Sequence, residues 1–116
     1  MKKQTRIEVY NKYVGHCAYC GKELEFKDMQ VDHIYPQRRY SDKKVADQIE
    51  NLNPSCRQCN HYKRAMTVEY FRLTLKTLHG RVRKNYICKV AEDYGIIDVK
   101  PWNGKFYFEQ IGGEER

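Results

Sequence analysis

The chain has 116 residues, which is enough for one domain with a modest hydrophobic core. Twenty-two Lys and Arg residues against fifteen Asp and Glu residues give a formal net charge of +7, which favours a polyanionic partner. No apolar run approaches the roughly 20 residues of a membrane span, and polar residues stand where a secretion signal needs an apolar segment. The five cysteines are an odd number and argue against a complete disulfide framework. We therefore expect a cytoplasmic protein with reduced thiols and no membrane partner.

The first predicted element is a helix between Thr5 and Val14. Within it the apolar residues Ile7, Tyr10 and Val14 are spaced three and then four apart, as on one face of a helix. Thr5 can cap the start of this helix, and Gly15 is suited to end it.

Two Cys-x-x-Cys pairs follow, Cys17 with Cys20 and Cys56 with Cys59. Each pair lets two thiolates bind one ion, and two pairs far apart in sequence are typical of a tetrahedral zinc site. A site with four cysteines has no open position, so we predict structural zinc. His16 is an alternative ligand beside Cys17.

A short hairpin is predicted after the first cysteine pair. Leu24 and Phe26 alternate with charged residues, which indicates a strand, and the segment from Met29 to Ile34 is interpreted as its partner. The stretch from Tyr35 to Glu50 contains few apolar residues, so we expect an exposed loop with one helical turn around residues 45–49.

Pro54 prevents a helix from running into the second cysteine pair, so the next helix should begin near Cys56 or Arg57. Apolar residues then recur at helical spacing in two further segments, which end before Gly80 and Gly95. The residues of these stripes are Val68, Phe71, Leu75 and Leu78, then Ile87, Val90, Ala91 and Tyr94. The alternation around Phe106 and Phe108 predicts a terminal strand. The fifth cysteine, Cys88, is interpreted as a small semi-buried hydrophobe.

The stretch from Cys17 to Lys63 resembles the HNH endonuclease family, whose fold is the ββα-metal motif. The segments that carry the resemblance are Asp32-His33-Ile34, Asn51-Leu52, and Cys56-Arg-Gln-Cys59-Asn60 followed by Lys63. The fold class expected from this resemblance is α+β, with a small ββα-metal (HNH, His-Me finger) core stabilised by the four-cysteine zinc site. A helix flanks this core on the N-terminal side, and helices and a strand on the C-terminal side. We expect a single domain over 1–116, with a motif core at 17–63 and a helical extension at 64–116.

The resemblance assigns His33 the role of general base that activates water. It also makes Asp32 and Asn60 ligands of a single catalytic Mg²⁺ or Mn²⁺ ion, whose preference for oxygen ligands they satisfy. Asn51 would orient the segment that bears the histidine. Successive residues of a regular strand point to opposite faces, so we expect distortion or an end of the strand at His33.

Two choices between neighbouring residues stay open in the sequence. Adjacent helical residues diverge by about 100°, so only one of Asn60 and His61 can face the ion, and His61 is the alternate ligand. Asn53 competes with Asn51 for the middle motif position, although a turn residue before Pro54 is the simpler interpretation of Asn53.

The function predicted is metal-dependent hydrolysis of DNA phosphodiester bonds, in a bacterial or phage-infected cell. The basic residues expected to contact DNA phosphates are Arg38, Arg39, Lys63 and Arg64. The alternative is a non-catalytic, zinc-ribbon-like module that binds nucleic acid. Either a monomer or a homodimer is compatible with the sequence.

Overall fold

The computed structural model describes residues 1–113. The chain forms two compact units. Among the described residues, the first unit comprises Met1–Val68 together with 106–113, and the second comprises Glu69–Lys105. Every residue predicted to take part in the chemistry belongs to the first unit.

Helix α1 spans Lys3–Lys12 and contributes the fully buried Val9 to the core of the first unit. Val9 packs with Met29 and Leu52. The predicted helix is confirmed, but it ends before Val14, which has a φ of 51° and is 82% exposed. The chain therefore turns away from the core before it reaches the cysteines.

The sheet has two antiparallel strands, β1 at Gln30–His33 and β2 at Leu52–Ser55. Asp32 lies opposite Asn53, and His33 lies opposite Leu52. Each strand has a free edge, which is where a sheet tolerates a proline such as Pro54. Pro54 still uses its carbonyl, which accepts a hydrogen bond of 2.9 Å from the backbone N–H of Ala18.

The predicted hairpin between the Leu24–Phe26 segment and Met29–Ile34 is wrong. Phe26 begins a 3-10 turn, Phe26–Asp28, and its ring meets Tyr10 edge to face at 5.6 Å between ring centres. Leu24 and Phe26 both pack against the core cluster around Val9. An alternation of only two apolar residues was too short to distinguish a strand from a turn that packs on a helix.

The segment between the strands holds three short helical pieces. They are the 3-10 turn Gln37–Arg39, the helix α2 at Lys43–Ala46 and the 3-10 turn Ile49–Asn51. This confirms a helical turn within the predicted loop. Helix α3 then spans Arg57–Lys63, so the order of strand, strand and helix expected of a ββα core is present.

The next helices in the chain are α4 at Val68–Lys76, α5 at Leu78–Lys84 and α6 at Tyr86–Asp93. The two predicted helical segments are confirmed, but the predicted stop at Gly80 is wrong because α5 continues through it. The stripe on α6 is largely exposed: Ile87 is 77% and Tyr94 80% accessible.

The predicted terminal strand is also wrong, because helix α7 spans Tyr107–Gly113. The side chain of Glu109 accepts a hydrogen bond of 2.9 Å from the backbone N–H of Phe106, as in a capping box. The N–H groups of Tyr107 and Phe108 donate to the carbonyls of Tyr19 and Ala18. The two Phe residues are thus held by a helix start against the first cysteine pair.

None of the helices within residues 1–113 has the length and apolar character needed to cross a bilayer.

The four paired cysteines come together in the first unit. The sulfur atoms of Cys17, Cys20, Cys56 and Cys59 all lie within 4.8 Å of one another, and those of Cys20 and Cys56 are 3.8 Å apart. A tetrahedron with sulfur about 2.3 Å from zinc has an edge of about 3.8 Å. The cluster therefore fits a metal ion such as zinc, and the four cysteines are grouped without His16.

The electrostatics of the cluster also call for a cation. A hydrogen bond with the Cys59 thiol lowers the pKa of Cys17 to about 4, and the same bond followed by burial raises the pKa of Cys59. Burial raises the pKa of Cys20 to about 11. Cys17 is thus stable as a thiolate, while Cys20 and Cys59 favour the protonated thiol. A bound divalent ion would allow all four cysteines to ionise.

We predict that Cys56→Ser loses bound zinc and lowers the thermal midpoint of the first unit, because metal binding free energy contributes directly to folding. Cys88→Ser is the matched control, since Cys88 lies outside the cluster. Zinc content by atomic absorption and melting by circular dichroism measure both effects. A Cys56→Ser protein with one equivalent of zinc and unchanged melting would contradict the prediction.

Candidate active site

Asp32 lies in β1 and is only 4% exposed. The hydroxyl of Tyr19 donates to its Oδ2 at 2.5 Å. Lys63 Nζ lies 3.1 Å from Oδ1 and 3.0 Å from Oδ2. The carboxylate is therefore held on two sides, by Tyr19 from between the first two cysteines and by Lys63 from α3.

Two opposing effects act on this carboxyl group. Burial raises the pKa of Asp32, and the Lys63 ammonium and the Tyr19 hydroxyl lower it. The net direction is upward, so burial is the larger effect. Additional positive charge near Asp32 would therefore stabilise its ionised form.

Lys63 corrects a prediction made from the sequence. It was expected to contact phosphate, but its side chain is fully buried. Its ammonium group donates to Asp32 and, at 2.9 Å, to the backbone carbonyl of His33. Lys63 therefore supports the candidate site from beneath instead of contacting substrate.

His33 is the last residue of β1, which confirms the expected end of the strand. Its Nε2 lies 2.7 Å from Oδ1 of Asp47, the residue that ends α2. Although the two are consecutive, Asp32 and His33 line the same cavity, because the chain leaves the strand there.

Asn51 binds the backbone of the segments on either side of it. Its Oδ1 accepts from the Tyr35 N–H at 2.9 Å, and its Nδ2 donates to the carbonyls of Tyr35 at 3.1 Å and Ala46 at 2.8 Å. The side chain thus joins the chain just after His33 to the chain just before Asp47.

An open cavity of about 230 Å³ is lined by five of the predicted catalytic, metal-binding and DNA-contacting residues. It is lined by Val31, Asp32, His33, Pro36, Gln37, Arg38, Asn60, Arg64 and Ala65. His61 instead lines a separate surface groove together with Glu23 and Arg57. Asn60 and His61 therefore face different spaces, as the helical rotation of about 100° between neighbours requires.

Two of the predicted basic residues, Arg38 and Arg64, line this cavity and are exposed. Arg64 has a φ of 52° and a ψ of −124° directly after α3, a strained conformation for a residue other than glycine. Arg39 lies elsewhere, over the ring of Tyr35 at 5.4 Å from its centre.

The structure adds residues that the sequence did not single out. No motif in the sequence marks Tyr19 or Asp47. Asn53 is not a turn residue: it is buried in β2 opposite Asp32, with Nδ2 3.4 Å from the Tyr19 hydroxyl. Its Oδ1 is buried without a hydrogen-bond partner among the residues described.

We predict that Lys63→Met destabilises the protein by about 3 kcal/mol, because it leaves the buried Asp32 charge without its partner. Asp32→Asn in the same chain should recover much of this loss. Urea unfolding at neutral pH measures both, with Lys27→Met as a control, since Lys27 is a surface residue that pairs with Glu25 at 3.8 Å. Equal losses in the Lys27 and Lys63 variants would contradict the prediction.

Residues 17–65 match the HNH endonuclease family. The structure is similar to part of the crystal structure of the Type II-C Cas9 enzyme from Actinomyces naeslundii, with 25% identity and a TM-score of 0.52. The similarity covers 69% of this chain and 10% of that enzyme. No curated protein matches. Residues 17–65, with their strand-strand-helix order and clustered cysteines, belong to the HNH endonuclease family.

Proposed function

We propose that this protein is a metal-dependent endonuclease that hydrolyses DNA phosphodiester bonds. The observation that supports this best is the grouping of Asp32, His33 and Asn60 around one cavity that two arginines also line. Hydrolysis of a phosphodiester needs a base for water, positive charge near the phosphate and groups that hold both in line.

His33 is the proposed general base. A neutral imidazole at the cavity wall can accept a proton from a water molecule that attacks phosphorus. Its backbone carbonyl is held by Lys63 and its ring by Asp47, so its position is determined on two sides. Such fixed geometry is what a proton acceptor needs.

Asp32 and Asn60 are the proposed ligands of Mg²⁺ or Mn²⁺. Both residues line the cavity and carry a side-chain oxygen, the ligand type that these ions prefer. Such an ion, when bound, stabilises the negative charge that develops on the phosphate and leaving oxygens. Lys63 and Tyr19 keep the Asp32 carboxylate in place, and only part of its acceptor capacity remains for a metal.

Arg38 and Arg64 are the proposed contacts to the phosphate backbone. Their guanidinium groups can pair with phosphate oxygens and hold the strand across the cavity without reading its bases. The net charge of +7 adds a general attraction for DNA. The zinc-ribbon-like alternative accounts for the cysteines and the charge, but it does not explain why Asp32, His33 and Asn60 line one cavity.

We predict that His33→Ala lowers the rate of plasmid cleavage in Mg²⁺ or Mn²⁺ by at least about a hundredfold, since a general base contributes about 10²–10⁴. Zinc content, melting and DNA binding should stay at the levels of the unmodified protein. His79→Ala is the matched control, because His79 lies in α5. Cleavage by the His33 variant at the unmodified rate would refute the role of His33, and DNA binding without any cleavage by the unmodified protein would favour the binding module.

A second pair of variants tests the choice between neighbours on α3. We predict that Asn60→Ala raises the Mg²⁺ concentration needed for half-maximal cleavage, because it removes an oxygen ligand. His61→Ala should leave that concentration unchanged, since His61 lines another groove. Metal titrations of the cleavage rate measure both. The opposite pattern would assign the ligand to His61.

A further inference from the structure

We propose that Asp47 is a positioning residue that fixes the tautomer and orientation of His33, so that Nδ1 is the atom that accepts the proton from water. The inference deepens the proposed function and rests on His33 being the base. Asp47 lies outside the segments that carried the resemblance, and it is fourteen residues from His33 in sequence.

The hydrogen bond itself determines where the ring proton lies. An ionised carboxylate can only accept, so the contact of 2.7 Å between Asp47 Oδ1 and His33 Nε2 requires a proton on Nε2. In a neutral ring the lone pair then belongs to Nδ1. Nδ1 has no hydrogen-bond partner among residues 1–113, and the residue lines the candidate cavity.

The pair is only partly open to solvent. The side chains of His33 and Asp47 are 20% and 29% exposed, so water competes for their hydrogen bond from a limited solid angle. A carboxylate that holds one ring nitrogen of a catalytic histidine commonly sets which tautomer is present.

The surrounding hydrogen bonds hold both partners at a fixed separation. Asn51 binds Tyr35, two residues after His33, and also Ala46, the residue before Asp47. The N–H of Asp47 donates to the carbonyl of Lys43 at 3.0 Å, which anchors Asp47 to the end of α2. The middle asparagine of the motif thus supports the carboxylate as well as the histidine segment.

Imidazole ¹⁵N NMR of the full-length, zinc-loaded protein tests the tautomer directly. In the unmodified protein we expect the His33 ring to be predominantly in the form protonated at Nε2. Asp47→Asn should increase the form protonated at Nδ1, because an amide N–H can donate to Nε2. A ring without predominance of the Nε2–H form, or a spectrum unchanged by Asp47→Asn, would overturn the proposal.

The kinetics of plasmid cleavage are a second test of the role of Asp47. Asp47→Asn should lower kcat for plasmid cleavage by roughly 10- to 100-fold, with little change in KM for DNA, because positioning and not binding is lost. Asp42→Asn is the matched control: it removes the same charge from the same loop and preserves a helix cap, since Asp42 caps α2. Equal losses in both variants, or a change confined to KM, would refute a positioning role for Asp47.

Together, the NMR spectra and the cleavage kinetics distinguish a failure of the Asp47 proposal from a failure of the proposed nuclease function. An unmodified protein that cuts no DNA would refute the nuclease, and with it a catalytic role for Asp47, whatever the NMR spectrum shows. A protein that cuts DNA normally after Asp47→Asn, with the ring tautomer unchanged, would refute Asp47 alone.

Discussion

The four-sulfur cluster is the constraint on which the rest of the first unit depends. It brings together Cys20 and Cys56, which are thirty-six residues apart in sequence. The buried apolar cluster of this unit is small, with Val9, Met29 and Leu52 at its centre. A core of that size supplies limited stability, so a metal ion held by the four cysteines would contribute a large share of the stability of the fold.

The segment between the first two cysteines also contacts the candidate active site. Ala18 and Tyr19, between the two cysteines, bind β2 and the start of α7 through their backbone groups. The hydroxyl of Tyr19 donates a hydrogen bond to Asp32. The position of the Asp32 carboxylate is therefore coupled to the geometry of the cysteine cluster through the Tyr19 side chain.

A buried cation beneath the site balances the buried carboxylate. Lys63 lies at the end of α3, and its ammonium reaches both Asp32 and the backbone of His33. This arrangement ties the helix to the end of β1, where two consecutive residues must serve one cavity. A buried pair of this kind is weak evidence for net stability, and its more direct consequence is a fixed geometry.

Much of the core could be predicted because its signals are local or repeated. Cysteine spacing identified the metal cluster, and the proline at 54 located the start of α3. The pairing of β1 with β2 could not be deduced, since it depends on contacts across a loop and on a sheet edge that accepts Pro54. Phe106 and Phe108 alternate like residues of a strand, yet a helix begins here. Glu109 accepts a capping hydrogen bond from the Phe106 N–H, and the carbonyls of Ala18 and Tyr19 accept from the next two N–H groups.

In the candidate site, too, residues within motifs could be predicted from the sequence, and contacts made by tertiary packing could not. His33, Asp32 and Asn60 could be chosen from a motif, and the helical rotation explains why Asn60 and His61 diverge. The burial of Lys63 and the contact of Asp47 with His33 arise from tertiary packing. Its charge and its place in the motif predicted that Lys63 contacts phosphate, because sequence does not show that an acidic partner lies thirty-one residues away.

We propose that the protein has two metal sites, a sulfur site that stabilises the fold and an oxygen site that takes part in the chemistry. Anomalous diffraction at the zinc and manganese edges, on crystals grown with zinc and soaked in Mn²⁺, tests it most directly. We expect a zinc signal among the four cysteines and a manganese signal between Asp32 and Asn60. Manganese at His61, or zinc in both places with no manganese in the cavity, would contradict it.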